Sequence, residues 1–287
     1  MRMRSLLFVP ADSERKFSKA KGSGADVLIL DLEDSVVPER KSLARAHVAR
    51  CLDDRATRDW SLFVRVNALD TGLALSDLAA VVKPGLDGLM IPKANGAGDI
   101  ARLGHYLDAL ETKAGMPLGS VKLAIVATET GKAMFSLGSY APAHPRLAAL
   151  TWGAEDLAAA LGATENREDD GGWTSPYIIA RAQCLFAAAA AEVTAIDTIH
   201  ADFRDLEGLE RDCRRSRRDG FLGRMAIHPD QVEAINNCYT PSTSEIEHAR
   251  RIVEAFAANP SAGTLGLGGK MIDIPHLKAA QKTLASI

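Results

Sequence analysis

Val27-Leu28-Ile29-Leu30-Asp31-Leu32-Glu33-Asp34-Ser35-Val36 sets four apolar, mostly branched residues directly against three carboxylates within four positions. A continuous apolar run of this length reads as a strand covered on both faces, as in a parallel sheet. Acidic side chains are rarely buried unless paired or metal-bound, so the run must end at a polar place. Two readings stand side by side: a strand whose carboxyl end opens onto an active-site edge, or a solvated strand-to-helix loop capped by aspartates.

Seven further apolar runs resemble this one: Ser5–Val9, Leu62–Val66, Gly88–Pro92, Lys122–Thr128, Leu147–Trp152, Ala195–Ile199 and Arg224–Ile227, with the first placed at Asp26–Leu32. Between them, segments such as Glu39–Leu52, Asp99–Thr112, Tyr177–Glu192 and Leu206–Asp219 carry apolar residues at helical spacing. Strand alternating with helix implies parallel βαβ units, and eight of them fit a closed (β/α)₈ TIM barrel. A doubly wound open sheet would want a glycine-rich phosphate turn after the first strand, where this chain has Pro10-Ala11-Asp12-Ser13.

The barrel reading can be tested, because the reactive residues of such barrels gather at the carboxyl ends of the strands. Those ends carry Pro10; Asp31 and Glu33; Arg65 and Asn67; Lys93; Glu129; Glu155 and Asp156; His200 and Asp202; and His228. Like carboxylates repel one another, so a barrel without chemistry has no reason to crowd so many on one rim. Glu129 and Asp156 come from adjacent strands with no His or Cys beside them, a donor set that suits a hard ion such as Mg²⁺. Asp156 also reads as the cap of a helix beginning at Leu157. Arg65 ends an apolar strand, where a guanidinium needs a partner. Asp31 or Glu33 within the chain and a substrate carboxylate both match its fork. Lys93 reads as a cross-rim ion pair, and His228 before Pro229 as structural.

Composition excludes several classes. The 287 residues are 47% hydrophobic with a net charge of -3, which supports one large core and calls for neither nucleic acid nor membrane. Arg214, Arg215, Arg217 and Arg218 read as a solvated helix end. The four cysteines are scattered without CxxC spacing, as expected of free thiols in a reducing cytosol. The apolar run Leu6–Pro10 is too short for a signal-peptide core or a membrane span, so a soluble cytoplasmic protein is expected.

Arg4-Ser5-Leu6-Leu7-Phe8-Val9-Pro10, Gly24 through Val36, Arg65-Val66-Asn67, Glu129-Thr130, Gly153-Ala154-Glu155-Asp156-Leu157 and Ile227-His228-Pro229-Asp230-Gln231 occur in an order that resembles the citrate lyase beta subunit-like acyl-CoA lyases of the HpcH/HpaI aldolase superfamily. Relatives there include malyl-CoA, methylmalyl-CoA and citramalyl-CoA lyases. The resemblance covers nearly the whole chain. It implies Mg²⁺, with Mn²⁺ as a substitute, on Glu129 and Asp156, and Arg65 on a keto-acid carboxylate. It places Phe8 and Lys19 against the CoA-bearing substrate, with His228 and Pro229 nearby; Asp31 and Glu33, from the strand-end reading, are supporting rim residues. The chain departs from relatives that carry an arginine early in the first loop, having Ser13 there and Arg15 two residues on, which leaves the phosphate contacts unassigned.

The tail adds a further expectation. Residues 1–240 are assigned to the barrel and 241–287 to a C-terminal helical extension that serves as a lid. Ala262 to Gly269 reads as a glycine-rich hinge, and Ile272, Ile274, Leu277, Ala280 and Leu284 as an apolar face needing a surface to cover. The resemblance makes Asp273 the residue that closes over a neighbouring subunit's site and handles the proton on the acyl-CoA carbon, in a homotrimer or homohexamer. By spacing alone Asp273 reads as a helix N-cap ahead of Pro275. The expected chemistry is reversible cleavage of a 3-hydroxyacyl-CoA into an acyl-CoA and a 2-keto acid. Arg65 would anchor the keto acid, and backbone N–H groups near Ala154, Glu155 and Asp156 would assist. Citrate lyase beta activity on an acyl-carrier thioester, CoA thioester hydrolysis and a non-catalytic binding barrel are the alternatives.

Overall fold

The computed structural model describes residues 1–53 and 58–285. Eight parallel strands close into a barrel in sequence order: β1 (Ser5–Pro10), β2 (Val27–Asp31), β3 (Ser61–Arg65), β4 (Gly88–Ile91), β5 (Lys122–Val126), β6 (Leu147–Thr151), β7 (Thr194–Asp197) and β8 (Gly223–Ala226). The helices are α1 (Glu14–Ala20), α2 (Lys41–Asp53), α3 (Ala74–Val81), α4 (Ala97–Lys113), α5 (Gly131–Met134), α6 (Ala154–Leu161), α7 (Ser175–Ala190), α8 (Leu206–Asp219), α9 (Gln231–Tyr239), α10 (Thr243–Ala258) and α11 (Ile274–Ala285).

Two cores explain why the strand sequences are apolar without alternation. Leu6, Val27, Ile29, Phe63, Met90 and Met225 fill the barrel interior. Their neighbours Leu7, Leu28, Leu30, Val64, Ile91 and Leu150 face the outer helices. Each fully buried aliphatic side chain contributes about 1.5–3 kcal/mol by leaving water, on whichever face it lies. Because every strand is parallel, all eight carboxyl ends reach the same rim. Register then decides which rim residues meet. Asp31 of β2 pairs directly with Arg65 of β3, so their side chains emerge on the same face of neighbouring strands.

The tail corrects two expectations. The glycine-rich segment is a β-hairpin, with β9 (Thr264–Leu267) antiparallel to β10 (Lys270–Asp273). Gly268 and Gly269 make its two-residue turn at φ 58° and 78°, the left-handed conformation that such hairpin turns require. Glycine here builds a turn and not a hinge. The apolar tail residues also have a surface within their own chain. Ile272 and Ala280 are buried with Ala249, Ile252 and Phe256 of α10, and Leu277 and Leu284 pack against them. Met271 and Ile274 remain exposed. This satellite core is separate from both barrel cores, and α10 is anchored at its start by a Ser242/Glu245 capping box.

Candidate active site

The site begins with the ion pair that β2 and β3 bring together. Arg65 Nε and Nη2 donate to the two oxygens of Asp31 at 2.7 and 2.8 Å. Asp31 also accepts from the backbone N–H of Glu33 at 2.9 Å and of Ser35 at 3.2 Å. The solvated-loop reading of the opening motif is therefore corrected: Asp31 and Glu33 are buried, and Asp31 folds the loop after β2 while holding a guanidinium. Burial alone would push the Asp31 carboxyl up; Arg65, with hydrogen bonds from Ser35 and Glu33, outweighs it and holds the group below its usual range. Arg65 Nη1 lies 3.0 Å from Glu33 Oε2, and the guanidinium sits over the Phe8 ring at 4.7 Å. Glu33 Oε2 nonetheless has no aligned hydrogen bond among the described residues. Burial raises the Glu33 carboxyl despite its two cationic neighbours, Arg65 and Lys93.

Lys93 ties this half of the rim to the other. It holds φ 53°, a costly conformation for a non-glycine residue, and so aims its backbone N–H at Glu129 Oε2, 2.5 Å away. Its ammonium reaches Glu33 at 2.5 Å, Asp156 at 3.1 Å and Asp34 at 3.6 Å. The cross-rim pairing expected of Lys93 is present, and it has three arms. Lys41 was not singled out in the sequence, yet its ammonium is buried and donates to the carbonyls of Leu32 and Glu33 at 2.6 and 2.7 Å and to Asn67 Oδ1 at 2.9 Å. Its signal was available: Lys41, Ala44, Val48 and Cys51 share the buried face of α2, where a lysine needs a reason.

Glu129 is 4% exposed and lies in the loop that follows β5. Its side chain passes the backbone of Gly153, where an added Cβ would stand 2.8 Å from Glu129 Cγ. Gly153 is therefore required for close approach. Burial, then the Asp156 and Glu33 charges, push the Glu129 carboxyl up to about 8 against the pull of the Lys93 N–H. Asp156 stands in the first turn of α6, which starts at Ala154 with Gly153 as N-cap. The expected capping role for Asp156 is therefore incorrect, because the helix begins earlier than Leu157. A buried carboxylate raised by neighbouring carboxylates is a place where a cation is stabilised. Glu129 and Asp156 are all-oxygen donors near the free N-terminal amides of α6, a set that fits a hard divalent ion keeping water and substrate in its shell.

Phe8, Asp31, Arg65, Glu129, Ala154, Glu155 and Asp156 all line one cavity of about 300 Å³ at the strand carboxyl ends. Glu33 joins through Arg65 and Lys93. His228 and Pro229 follow Ile227, which lines the same cavity. The His228 ring stacks on Phe203 with centroids 4.6 Å apart. Five expected residues, Glu33, His228, Pro229, Lys19 and Asp273, do not line the cavity themselves. Lys19 is exposed on the last turn of α1. Asp273 lies at the end of β10, where it accepts from the His276 N–H at 3.4 Å and bonds the His276 ring, so its N-cap reading is realised in this chain. His200 turns to Asp212 at 3.1 Å. Trp152 and Thr151, which sequence reasoning passed over as strand residues, also line the cavity, and the Trp152 indole N–H donates to buried Asp197 at 2.6 Å.

The chain is 34% identical over 284 residues to citrate lyase subunit beta of Escherichia coli K12, covering 98% of this chain and 92% of that one. It is equally 34% identical over 284 residues to (3S)-malyl-CoA thioesterase of Cereibacter sphaeroides, covering 98% and 93%. The crystal structure of CitE from Mycobacterium tuberculosis in complex with magnesium, acetoacetate and coenzyme A superposes with a TM-score of 0.78 at 32% identity, covering 99% of this chain and 98% of that one. No helix among the described residues is long and apolar enough to cross a membrane. Residues 4–229 match the family HpcH/HpaI aldolase/citrate lyase, and the chain therefore belongs to that family of carbon–carbon lyases.

Proposed function

We propose that this protein reversibly cleaves a 3-hydroxyacyl-CoA of the malyl-CoA or citramalyl-CoA type into an acyl-CoA and a 2-keto acid, with Mg²⁺ held by Glu129 and Asp156. One observation carries the reading: Arg65, Glu129 and Asp156 line the same cavity, uniting a carboxylate-binding fork with a pair of hard-metal donors. When bound, Mg²⁺ supplies Lewis acidity to the hydroxyl and carboxylate oxygens of the substrate. Arg65, oriented by Asp31 and Glu33, anchors the keto-acid carboxylate in a fixed direction. Phe8 stacks beneath that guanidinium and closes one wall against water. The N–H groups at the start of α6 face developing negative charge.

Breaking the carbon–carbon bond releases the proton of the substrate hydroxyl as the keto group forms, and the two transfers balance because it leaves a thioester enolate that takes up a proton at carbon. Asp273 is the residue assigned to this step, reaching the cavity of a neighbouring subunit in a homotrimer or homohexamer, since it does not line the cavity of its own chain. In the condensation direction the same carboxylate would take the proton. The division into a catalytic barrel at 1–240 and a lid at 241–287 belongs to this proposal. The separate core under α10 and α11 supports it.

Thioester hydrolysis is the second reading, favoured by the 34% identity to a malyl-CoA thioesterase. A metal-supplemented screen of acetyl- and propionyl-CoA against glyoxylate and pyruvate separates the two. Condensation to a 3-hydroxyacyl-CoA, lost on chelation and in Glu129→Ala and Asp156→Ala, is the expected result. Release of free CoA with the acyl skeleton intact would assign hydrolysis, and full turnover in chelated wild type would remove the metal from the scheme.

A further inference from the structure

Thr151 ends β6 and is 2% exposed, and its side chain lines the cavity. Its hydroxyl has no hydrogen-bond partner among the described residues. Five other buried polar atoms share that condition, on Glu33, Arg45, Tyr140, Tyr177 and His200, and none of those residues lines the cavity. The surroundings offer no compensation. Thr151 pairs in register with Val126 and Ile196; Val126, Ile199, Met225 and Ile227 line the same cavity, and Thr198, the other threonine there, makes no hydrogen bond to Thr151 among the described residues.

The choice of threonine needs a cause. A buried hydroxyl without a partner destabilises the folded chain. Valine has the same shape, suits a strand at least as well and would remove that cost. Structural economy therefore favours valine here, and retention of the hydroxyl points to a ligand. Position narrows the ligand further. Gly153, two residues on, lies against Glu129, and Asp156 follows in the first turn of α6. Thr151 thus stands beneath the half of the cavity where the donor carboxylates gather. In the proposed reaction this is the keto-acid half of the substrate, which Arg65 reaches from β3.

We propose that the Thr151 hydroxyl donates a hydrogen bond to an oxygen of the 2-keto acid and so sets affinity for that half of the substrate, an inference that rests on the lyase reading. It is a substrate-binding residue and takes no part in proton transfer. The neutral bond it forms corresponds to a change of about tenfold or somewhat less in affinity.

The test compares Thr151→Val, which keeps shape and loses the hydroxyl, with Thr151→Ser, which keeps the hydroxyl. Pyruvate and glyoxylate are the probes, titrated by calorimetry into Mg²⁺-supplemented protein without any acyl-CoA. In Thr151→Val, Kd for both should rise about tenfold, KM for acetyl-CoA should stay unchanged, and Tm of the ligand-free protein should rise. Thr151→Ser should restore the wild-type Kd to within about threefold. Unchanged keto-acid Kd in Thr151→Val overturns the assignment, as does failure of either probe to bind wild type. Wild-type binding without carbon–carbon cleavage of any CoA ester would instead sink the lyase reading, while the Val and Ser comparison still decides the role of Thr151.

Discussion

Arg65 and Asp31 lie opposite one another in adjacent strands, and Arg65 donates two hydrogen bonds to the Asp31 carboxylate at 2.7 and 2.8 Å, so the guanidinium is already held in one plane before substrate arrives. Pre-orientation is what a fork needs in order to discriminate a carboxylate. Arg65→Lys keeps the charge and loses the plane. Keto-acid binding should weaken by about 1–3 kcal/mol, the range for a charge-assisted hydrogen bond. An unchanged KM for the keto acid would restrict Arg65 to its internal ion pair. Asp31→Ala should cost about 1–3 kcal/mol of folding stability by leaving a half-buried guanidinium with Glu33 as its remaining partner, which urea denaturation would measure.

Glu129 should make metal binding proton-linked. Burial and the Asp156 and Glu33 charges push its carboxyl up to about 8, so at pH 7 the metal-free protein holds a proton there that a cation must displace. Mg²⁺ titrations at pH 7 in buffers of different ionisation enthalpy should show release of roughly one proton. Heat independent of buffer would contradict this. The folded value lies above the reference 4.5, so the contribution to stability is fully present below about 4.5 and is lost as pH rises through about 8. Tm of metal-free protein should fall across that window, and Glu129→Gln should flatten the decline.

Glu111 should behave in the opposite sense. Burial would raise its carboxyl; hydrogen bonds from Arg146 and from the N–H groups of Val121 and Gly119 overcome it and hold the group at about 2. Arg146 donates to its two oxygens at 2.7 and 2.6 Å. The stability it supplies is present above about 4.5 and disappears as pH falls through about 2. Glu111→Gln should cost about 1–3 kcal/mol, because buried Arg146 then keeps only the more exposed Asp108 as its counter-charge. It should leave keto-acid Kd unchanged, since the pair lies outside the cavity lining.

Asp273 offers a test of assembly. Its carboxylate does not line its own cavity, and Met271 and Ile274 beside it are exposed. Mixing inactive Asp273→Asn subunits with inactive Glu129→Ala subunits, followed by exchange, should restore part of the activity because some composite sites would carry neither defect. If mass measurement shows exchange and activity stays at zero, Asp273 serves only as the cap for His276.

Periodicity was sufficient for the barrel. Runs such as Val27–Leu30 are apolar on both faces, and that pattern is stable only between an interior and a helical layer, so eight of them with helices between leave few architectures. The same logic put Asp31, Arg65, Glu129 and Asp156 on one rim, since parallel strands share an exit. Which rim residues touch is a matter of register and backbone angle, properties that no local pattern records. The Asp31–Arg65 pairing, the left-handed Lys93 that turns its N–H to Glu129, and the start of α6 at Ala154 all depend on them. The hairpin at Thr264–Asp273 was misread as a hinge because glycine marks a tight turn and a loose linker alike, and pairing across the turn separates the two. Thr151 stayed hidden for a related reason: β-branched residues are ordinary in strands, and a hydroxyl becomes informative once the described residues around it are seen to offer it no partner.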